Sequence, residues 1–405
     1  QLRPLSREVL GREFLAVITR VGTVEEARDV LRRTRSRELL RIALAHLTDV
    51  ASAAEVACAL TDLAEAVLEA GLLVAYHVVA RERKVVGEEA EPLDGVDEVD
   101  ETTAQELRER RSDPARALGV ELAIIAQGSF GAREMGYSSD ADVQFIAVDR
   151  GAGGDTVEIT NAVATQIQKI LNAPVARSDM KVSADLRPEG KVGPLTRTAE
   201  SWIDYLRRDA ETWEKQALLR ARVVVSSEAL GERLTGEMDR HRYPDGGLEE
   251  QDRRAITRMK ARVESERLPR NADPARHLKL GRGGMTDVEW CTQLLALEHG
   301  HEVEGLRTTS TLAQLEAAVA AELLEGREAE ELRAAWTLAW QLRRGLFLWK
   351  GREGEVLPSD RNDLRALALL IDGEDATASE LEDRYLKVTR RSRTLAEQII
   401  FGEDG

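Results

Sequence analysis

Residues 128–142 read Gly-Ser-Phe-Gly-Ala-Arg-Glu-Met-Gly-Tyr-Ser-Ser-Asp-Ala-Asp, and the chemistry of this chain concentrates there. Asp140 and Asp142 open the run Asp-Ala-Asp-Val-Gln-Phe-Ile-Ala-Val over 140–148, which alternates as a β-strand does. Positions two apart on a strand share a face, so both carboxylates project together. Left alone they repel, and a divalent cation removes the repulsion. Mg²⁺ prefers oxygen ligands, retains waters, and is commonly held by one or two carboxylates plus substrate phosphates. Upstream, Gly128-Ser129 follows the apolar run Leu122-Ala123-Ile124-Ile125-Ala126 and reads as a turn opening a short helix. Such a turn offers unpaired N–H groups and the positive end of a helix dipole to a phosphate chain. Together these features predict metal-dependent chemistry on a nucleoside triphosphate. The plainer alternative is an acidic strand edge beside an ordinary glycine turn; the agreement of turn, spacing and alternation argues against it.

Two further runs could contribute. Val182-Ser183-Ala184-Asp185-Leu186-Arg187-Pro188-Glu189-Gly190 is strand-like and ended by proline. Two-metal transfer commonly uses a further carboxylate, for which Asp185 is the nearest candidate. Arg187 could pair with phosphate as a planar fork. The second run is Lys279-Leu280-Gly281-Arg282-Gly283-Gly284-Met285-Thr286-Asp287-Val288-Glu289-Trp290. Its glycines permit close backbone approach to a ligand, and Lys279 and Arg282 supply positive charge. An ordinary helix start with first-turn acids explains Asp287 and Glu289 equally well. His277, His299 and His301 are scattered and are not expected to bind metal.

The elements that must position these residues follow from length and patterning. At 405 residues with 42 % apolar content, two or three domains are expected. Residues 1–86 carry helical stripes, Leu40, Leu44 and Leu47 in one and Leu60, Leu63, Val67 and Leu68 in another. Residues 87–103 hold eight acids with Gly and Pro and read as a solvated linker or loop. Residues 104–200 mix strand-like and helix-like runs, as a small catalytic domain would, and 201–405 read almost wholly as helical bundle. Near the end Leu381, Tyr385, Val388, Leu395 and Ile399 share a face, with Thr377 or Ser379 as cap. Trp336, Trp340, Phe347 and Trp349 read as bundle core. The overall class is α+β.

Composition excludes other functions. With 73 acidic against 57 basic residues and a net charge of −16, a nucleic-acid substrate is not expected. No run of about 18 apolar residues predicts a membrane span. The start, Gln1-Leu2-Arg3-Pro4, has no signal-peptide core and no initiator Met, as expected of part of a longer protein. Cys58 and Cys291 are too few for a disulfide framework or zinc site, which fits the cytoplasm.

With these runs in view, the chain resembles the bacterial glutamine synthetase adenylyltransferase family, of the polymerase-β-like nucleotidyltransferase superfamily. The matching residues are 128–142, Leu186–Gly190 with Gly193-Pro194-Leu195, Trp213–Arg222 and Lys279–Trp290. They look most like the C-terminal, adenylylating half of actinobacterial members. The resemblance implies a polymerase-β-like nucleotidyltransferase domain flanked by helical regions, including a C-terminal bundle. It implies transfer of AMP from ATP to a tyrosine of glutamine synthetase with release of pyrophosphate, controlling nitrogen assimilation. Asp140 and Asp142 would bind Mg²⁺ (or Mn²⁺), with Asp185 as third ligand, and Gly128 and Ser129 would cradle the triphosphate. Glutamine and a PII-type signalling protein would act as effectors.

One departure stands out. The family pattern places an Asp three residues before Leu-Arg-Pro, and this chain has Ser183 there. Asp185, two residues on and roughly 6–7 Å along the strand, is the available substitute. Two rivals follow: the de-adenylylating, phosphorolytic half of the same family, and a catalytically weakened regulatory module.

Overall fold

The computed structural model describes residues 2–85, 113–172, 180–352 and 354–402; the acidic stretch 87–103 lies outside them. Helical periodicity before residue 86 resolves into α1 (Arg7–Ile18), α2 (Val24–Leu47) and α3 (Ala53–Glu82). Ser6, Thr23 and Ser52 cap their N-termini, and Glu26 and Glu55 complete capping boxes. Leu60, Leu63, Val67 and Leu68 are buried as their spacing predicts. α3 is long and apolar enough to cross a membrane by length and composition, yet 72 % of its most apolar window is buried inside the protein. The other expected stripe does not pack. Leu40 is 60 % exposed and Leu44 and Leu47 are also exposed, because α2 turns Leu31, Ile42 and Ala45 inward instead. Periodicity locates an apolar face but cannot choose between two offset stripes on one helix.

After a short helix α4 (Pro114–Leu118) comes a five-stranded mixed sheet. β1 (Val120–Ala126) pairs antiparallel with β2 (Ala141–Asp149), from Val120↔Asp149 to Ala126↔Val143. β3 (Val182–Ser183) and β4 (Thr196–Thr198) both add in parallel to the free edge of β2. β5 (Arg222–Val225) pairs antiparallel with the opposite edge of β1, with a register shift between Ile124 and Ile125. The sheet therefore runs beyond residue 200, where sequence patterning placed the start of the helical bundle. β5 is four residues long and its partner lies about a hundred residues earlier, so no local pattern marks it.

Both faces of β1 are covered, which explains its unbroken apolar run. Leu122, Ile124 and Ala126 face the core shared with α3 and with α6 (Thr156–Leu171). Ala123 and Ile125 face a second core closed by Trp202 and Leu206 of α7 (Ala199–Arg208) and Leu234 of α9 (Glu228–Arg242). Between α7 and α9 lies α8 (Thr212–Leu218).

The remaining chain is helical, as expected: α10 (Glu250–Glu266), α11 (Met285–His299), α12 (Thr311–Ala320), α13 (Gly326–Lys350), α14 (Arg361–Asp372) and α15 (Ala378–Phe401). Thr377 caps α15 by accepting from Glu380 N–H. Leu381 and Tyr385 are buried there, but Thr389, Ser392 and Ala396 continue the inward face while Val388, Leu395 and Ile399 sit at its margin. Trp336 and Trp340 are core, Phe347 packs against it, and Trp349 is exposed, donating to Asp363.

Candidate active site

The second core stops short at the start of β2, and that gap makes the site. Trp202 covers this face by donating from Nε1 to Gln144 Oε1 at 2.7 Å. Asp142 and Asp140 lie one and two pleats further along the same face, and no α7 residue lines the cavity they open into. They open into a cavity of about 390 Å³ closed on the far side by Lys279, Met285 and Glu289 around the start of α11 and by Arg343 of α13. The two carboxylates are thus brought together as their spacing predicted. Burial first, and then Asp140, push Asp142 up to about 6. Asp140 forms an ion pair with Lys181, Nζ to Oδ2 2.6 Å.

Gly128 and Ser129 also line the cavity. They begin a single helical turn, α5 (Gly128–Gly131), whose first N–H groups have no intrahelical partner. Two glycines there are obligatory. Gly128 is left-handed (φ +57°), and a Cβ on it would approach Asp142 Oδ2 to 3.3 Å. A Cβ at Gly131 would overlap the Arg220 carbonyl oxygen and lie 2.6 Å from that of Ala126. The turn is pinned to β2 by Gln127 N–H donating to the Asp142 carbonyl at 2.8 Å.

Sequence reasoning missed the ionic wall of this cavity. Arg220 lies between two carboxylates, 2.8 Å from Glu134 Oε2 and 2.7 Å from Glu289 Oε1. Glu134 also accepts from the Thr311 N–H at 2.7 Å and from its hydroxyl at 3.2 Å. Burial pushes Glu134 up to about 7 against the opposing pull of Arg220, and Glu289 adds to the rise. Arg344, fully enclosed in α13, donates to the carbonyls of Glu134 and Met135 and so holds the loop leading to Asp140. Glu134, Arg220 and Glu289 stand within the runs that carry the resemblance, whereas Thr311 and Arg344 lie outside them. Charge inside apolar segments was the available signal: an Arg after Ala217-Leu218-Leu219 and a Glu inside Met285–Trp290.

The other expected residues divide. Lys279 lines the cavity, whereas Arg282 is exposed and outside its lining. Asp185 does not join Asp140 and Asp142: its carboxylate is 52 % exposed, 3.2 Å from Lys191 Nζ, and outside the cavity lining. β3 ends at Ser183, so strand alternation no longer carries Asp185 to the face Ser183 occupies. Arg187 is not a phosphate fork here. Its guanidinium donates to the carbonyls of Ala184 (2.7 Å), Lys191 (3.0 Å) and Gly193 (3.1 Å), clamping the 184–195 excursion between β3 and β4. Asp287 is structural, buried with Lys260 and Arg393 while accepting from Gly283 N–H at 2.7 Å.

A divalent cation fits the floor of the cavity to a limited extent. Two adjacent carboxylates, one of them resisting ionisation because of burial and its neighbour, form an acceptor set that a dication relieves. Among the described residues no group of three or more His, Cys, Asp or Glu side chains forms a metal cage.

Comparison with known proteins supplies the family context. The model of the glutamate-ammonia ligase adenylyltransferase family matches residues 4–99 and 96–237. A GlnD PII-uridylyltransferase model matches residues 254–400. The chain is 39 % identical over 402 residues to the bifunctional glutamine synthetase adenylyltransferase/adenylyl-removing enzyme of Streptomyces coelicolor, covering 99 % of this chain and 38 % of that protein. It is 40 % identical over 405 residues to the enzyme of the same name from Streptomyces avermitilis, with coverage of 99 % and 38 %. The Mycobacterium tuberculosis enzyme is 36 % identical over 392 residues, with coverage of 96 % and 36 %. The chain therefore spans somewhat over a third of the length of these curated relatives.

Proposed function

The chain belongs to the glutamate-ammonia ligase adenylyltransferase family, and we propose that it moves AMP from ATP onto a tyrosine of glutamine synthetase, releasing pyrophosphate. One observation carries the reading: Asp140 and Asp142 share a face at the floor of a cavity that the Gly128–Ser129 turn also lines. A mixed sheet with a carboxylate pair at the start of β2 supports the reading of a polymerase-β-like nucleotidyltransferase domain.

In this reading Asp140 and Asp142 would hold Mg²⁺, which would supply charge neutralisation for the triphosphate. Gly128 and Ser129 direct N–H groups at the phosphates, and Lys279 adds positive charge from the opposite wall. The acceptor hydroxyl enters in line with the leaving group. Its oxygen bonds the α-phosphorus, the bond to the pyrophosphate oxygen breaks, and the hydroxyl proton is lost. Positioning and charge neutralisation supply most of the rate in such transfers. The ionic wall of Glu134, Arg220 and Glu289 keeps the loop, the turn and α11 at fixed separation. Glutamine and a PII-type protein are the proposed effectors, and the cytoplasm the proposed location.

A second reading has its own support. The relatives' names give both adenylyl transfer and adenylyl removal, and this chain matches somewhat over a third of their length. The same site running phosphorolysis would release ADP from adenylylated glutamine synthetase. Incubating the chain with unmodified glutamine synthetase, ATP and Mg²⁺ and weighing the acceptor by mass spectrometry tests the first reading; gain of one AMP is expected. Loss of AMP from modified enzyme only when phosphate is added would establish the second in its place.

A further inference from the structure

Two-cation transfer centres use more acceptor oxygens than this floor provides. Ser183 stands in register with Asp142 on the neighbouring parallel strand, where a further carboxylate would face the same space. Its side chain is a neutral hydroxyl, which accepts from the Asp185 N–H at 3.4 Å. The nearest acid along the chain, Asp185, is held outward by Lys191. A positive charge is present in place of the missing negative one. Lys181 lies immediately before β3, and its carbonyl accepts from Ala141 N–H at 2.8 Å, so backbone pairing fixes where its side chain starts. From there its ammonium reaches Asp140 Oδ2 at 2.6 Å.

We propose that this centre takes a single divalent cation, and that the Lys181 ammonium supplies at Asp140 the positive charge a second cation would bring. The inference rests on the reading that Asp140 and Asp142 hold a divalent cation beside a nucleoside triphosphate. The argument is one of ligands. A second hard cation needs anionic oxygens to offset its dehydration, and here one oxygen of Asp140 is committed to an ammonium while the third position carries only a hydroxyl. An ammonium paired with Asp140 neutralises charge without needing such a cage.

The experiment counts ions rather than turnover. Mn²⁺ is titrated into the chain by electron paramagnetic resonance with saturating α,β-methylene-ATP. One bound Mn²⁺ per chain is expected for the natural sequence, and two for Ser183→Asp. Two ions in the natural sequence, or one in Ser183→Asp that circular dichroism shows to be folded, would overturn the inference while leaving the carboxylate site standing. No bound ion at all would remove the underlying site, and this inference with it. Lys181→Met, titrated without nucleotide, provides a second readout that does not depend on Ser183→Asp folding. Releasing Asp140 from an exposed ion pair should tighten Mn²⁺ binding about threefold. Unchanged affinity would show that Lys181 does not compete for Asp140 and would overturn its assigned role.

Discussion

Ser183 and Asp142 stand side by side across a parallel strand pair, their Cα positions in register, and the serine hydroxyl accepts from the Asp185 N–H at 3.4 Å. The pair lies at the start of β2, where Asp142 lines the cavity. Asp142 is thus held beside one acid and next to a neutral residue, and burial and Asp140 raise its carboxyl.

Asp142→Asn should therefore separate function from folding. The amide retains the volume but removes a charged cation ligand. Transfer is expected to fall by roughly two orders of magnitude or more, on the scale of losing one preorganised charge-stabilising group, with the melting temperature unchanged or raised. Full activity with Mg²⁺ would reject the site.

Glu134 should give stability a titration near neutrality. Its carboxyl sits at about 7 in the folded protein, above the value of 4.5 for the free group. A raised carboxyl means that the folded state holds the proton more tightly. The associated stabilisation is complete below the unfolded value and is lost as pH rises through the folded one. Urea denaturation at about pH 5.5 and about pH 8 should show Glu134→Gln gaining stability relative to the natural protein as pH rises. A difference independent of pH would contradict the assignment.

Arg220→Met should be among the most damaging single changes. It leaves Glu134 and Glu289 facing one another in a buried wall without their shared cation. Removing one partner of a buried ion pair costs about 3–5 kcal/mol, measurable as a shift in the urea midpoint. A loss below about 1 kcal/mol, the range of exposed pairs, would show that the wall is solvated.

Arg187→Ala tests the reassignment of that residue from phosphate binding to loop clamping. Three carbonyls lose a charged donor, at about 1.5–3 kcal/mol for each hydrogen bond to a charged group as an upper range. Stability should fall, while Mn²⁺ affinity stays within about twofold because Arg187 touches neither carboxylate. A large loss of nucleotide affinity at unchanged stability would restore the phosphate role.

Gly131→Ala should fail to reach the native packing. The added carbon meets the Arg220 and Ala126 carbonyls, both backbone and neither able to move without shifting the turn against β5. Overpacking of this kind costs about 1–3 kcal/mol or more, and limited proteolysis would detect the loosened turn.

Much of this protein was legible in its residues taken in order. Alternation over 140–148 placed Asp140 and Asp142 on one face, because pleating is a property of any strand. Gly128-Ser129 after an apolar run announced the turn, and the stripe Leu60, Leu63, Val67 and Leu68 announced the buried face of α3. What local pattern could not supply was anything that depends on a distant partner. The strand β5 exists only through β1. Leu40 and Leu44 stay exposed because another face of α2 meets the core. Asp185 leaves the site because the strand ends two residues before it. Arg220, ninety-two positions from Gly128, joins the cavity wall because the segment before β5 packs against the Gly128–Gly131 turn. Sequence set the types and the short-range spacing, which steric rules convert directly into faces and turns. Burial and ion pairing between remote segments decided which of those groups share a cavity, since both depend on through-space distance, not on order along the chain.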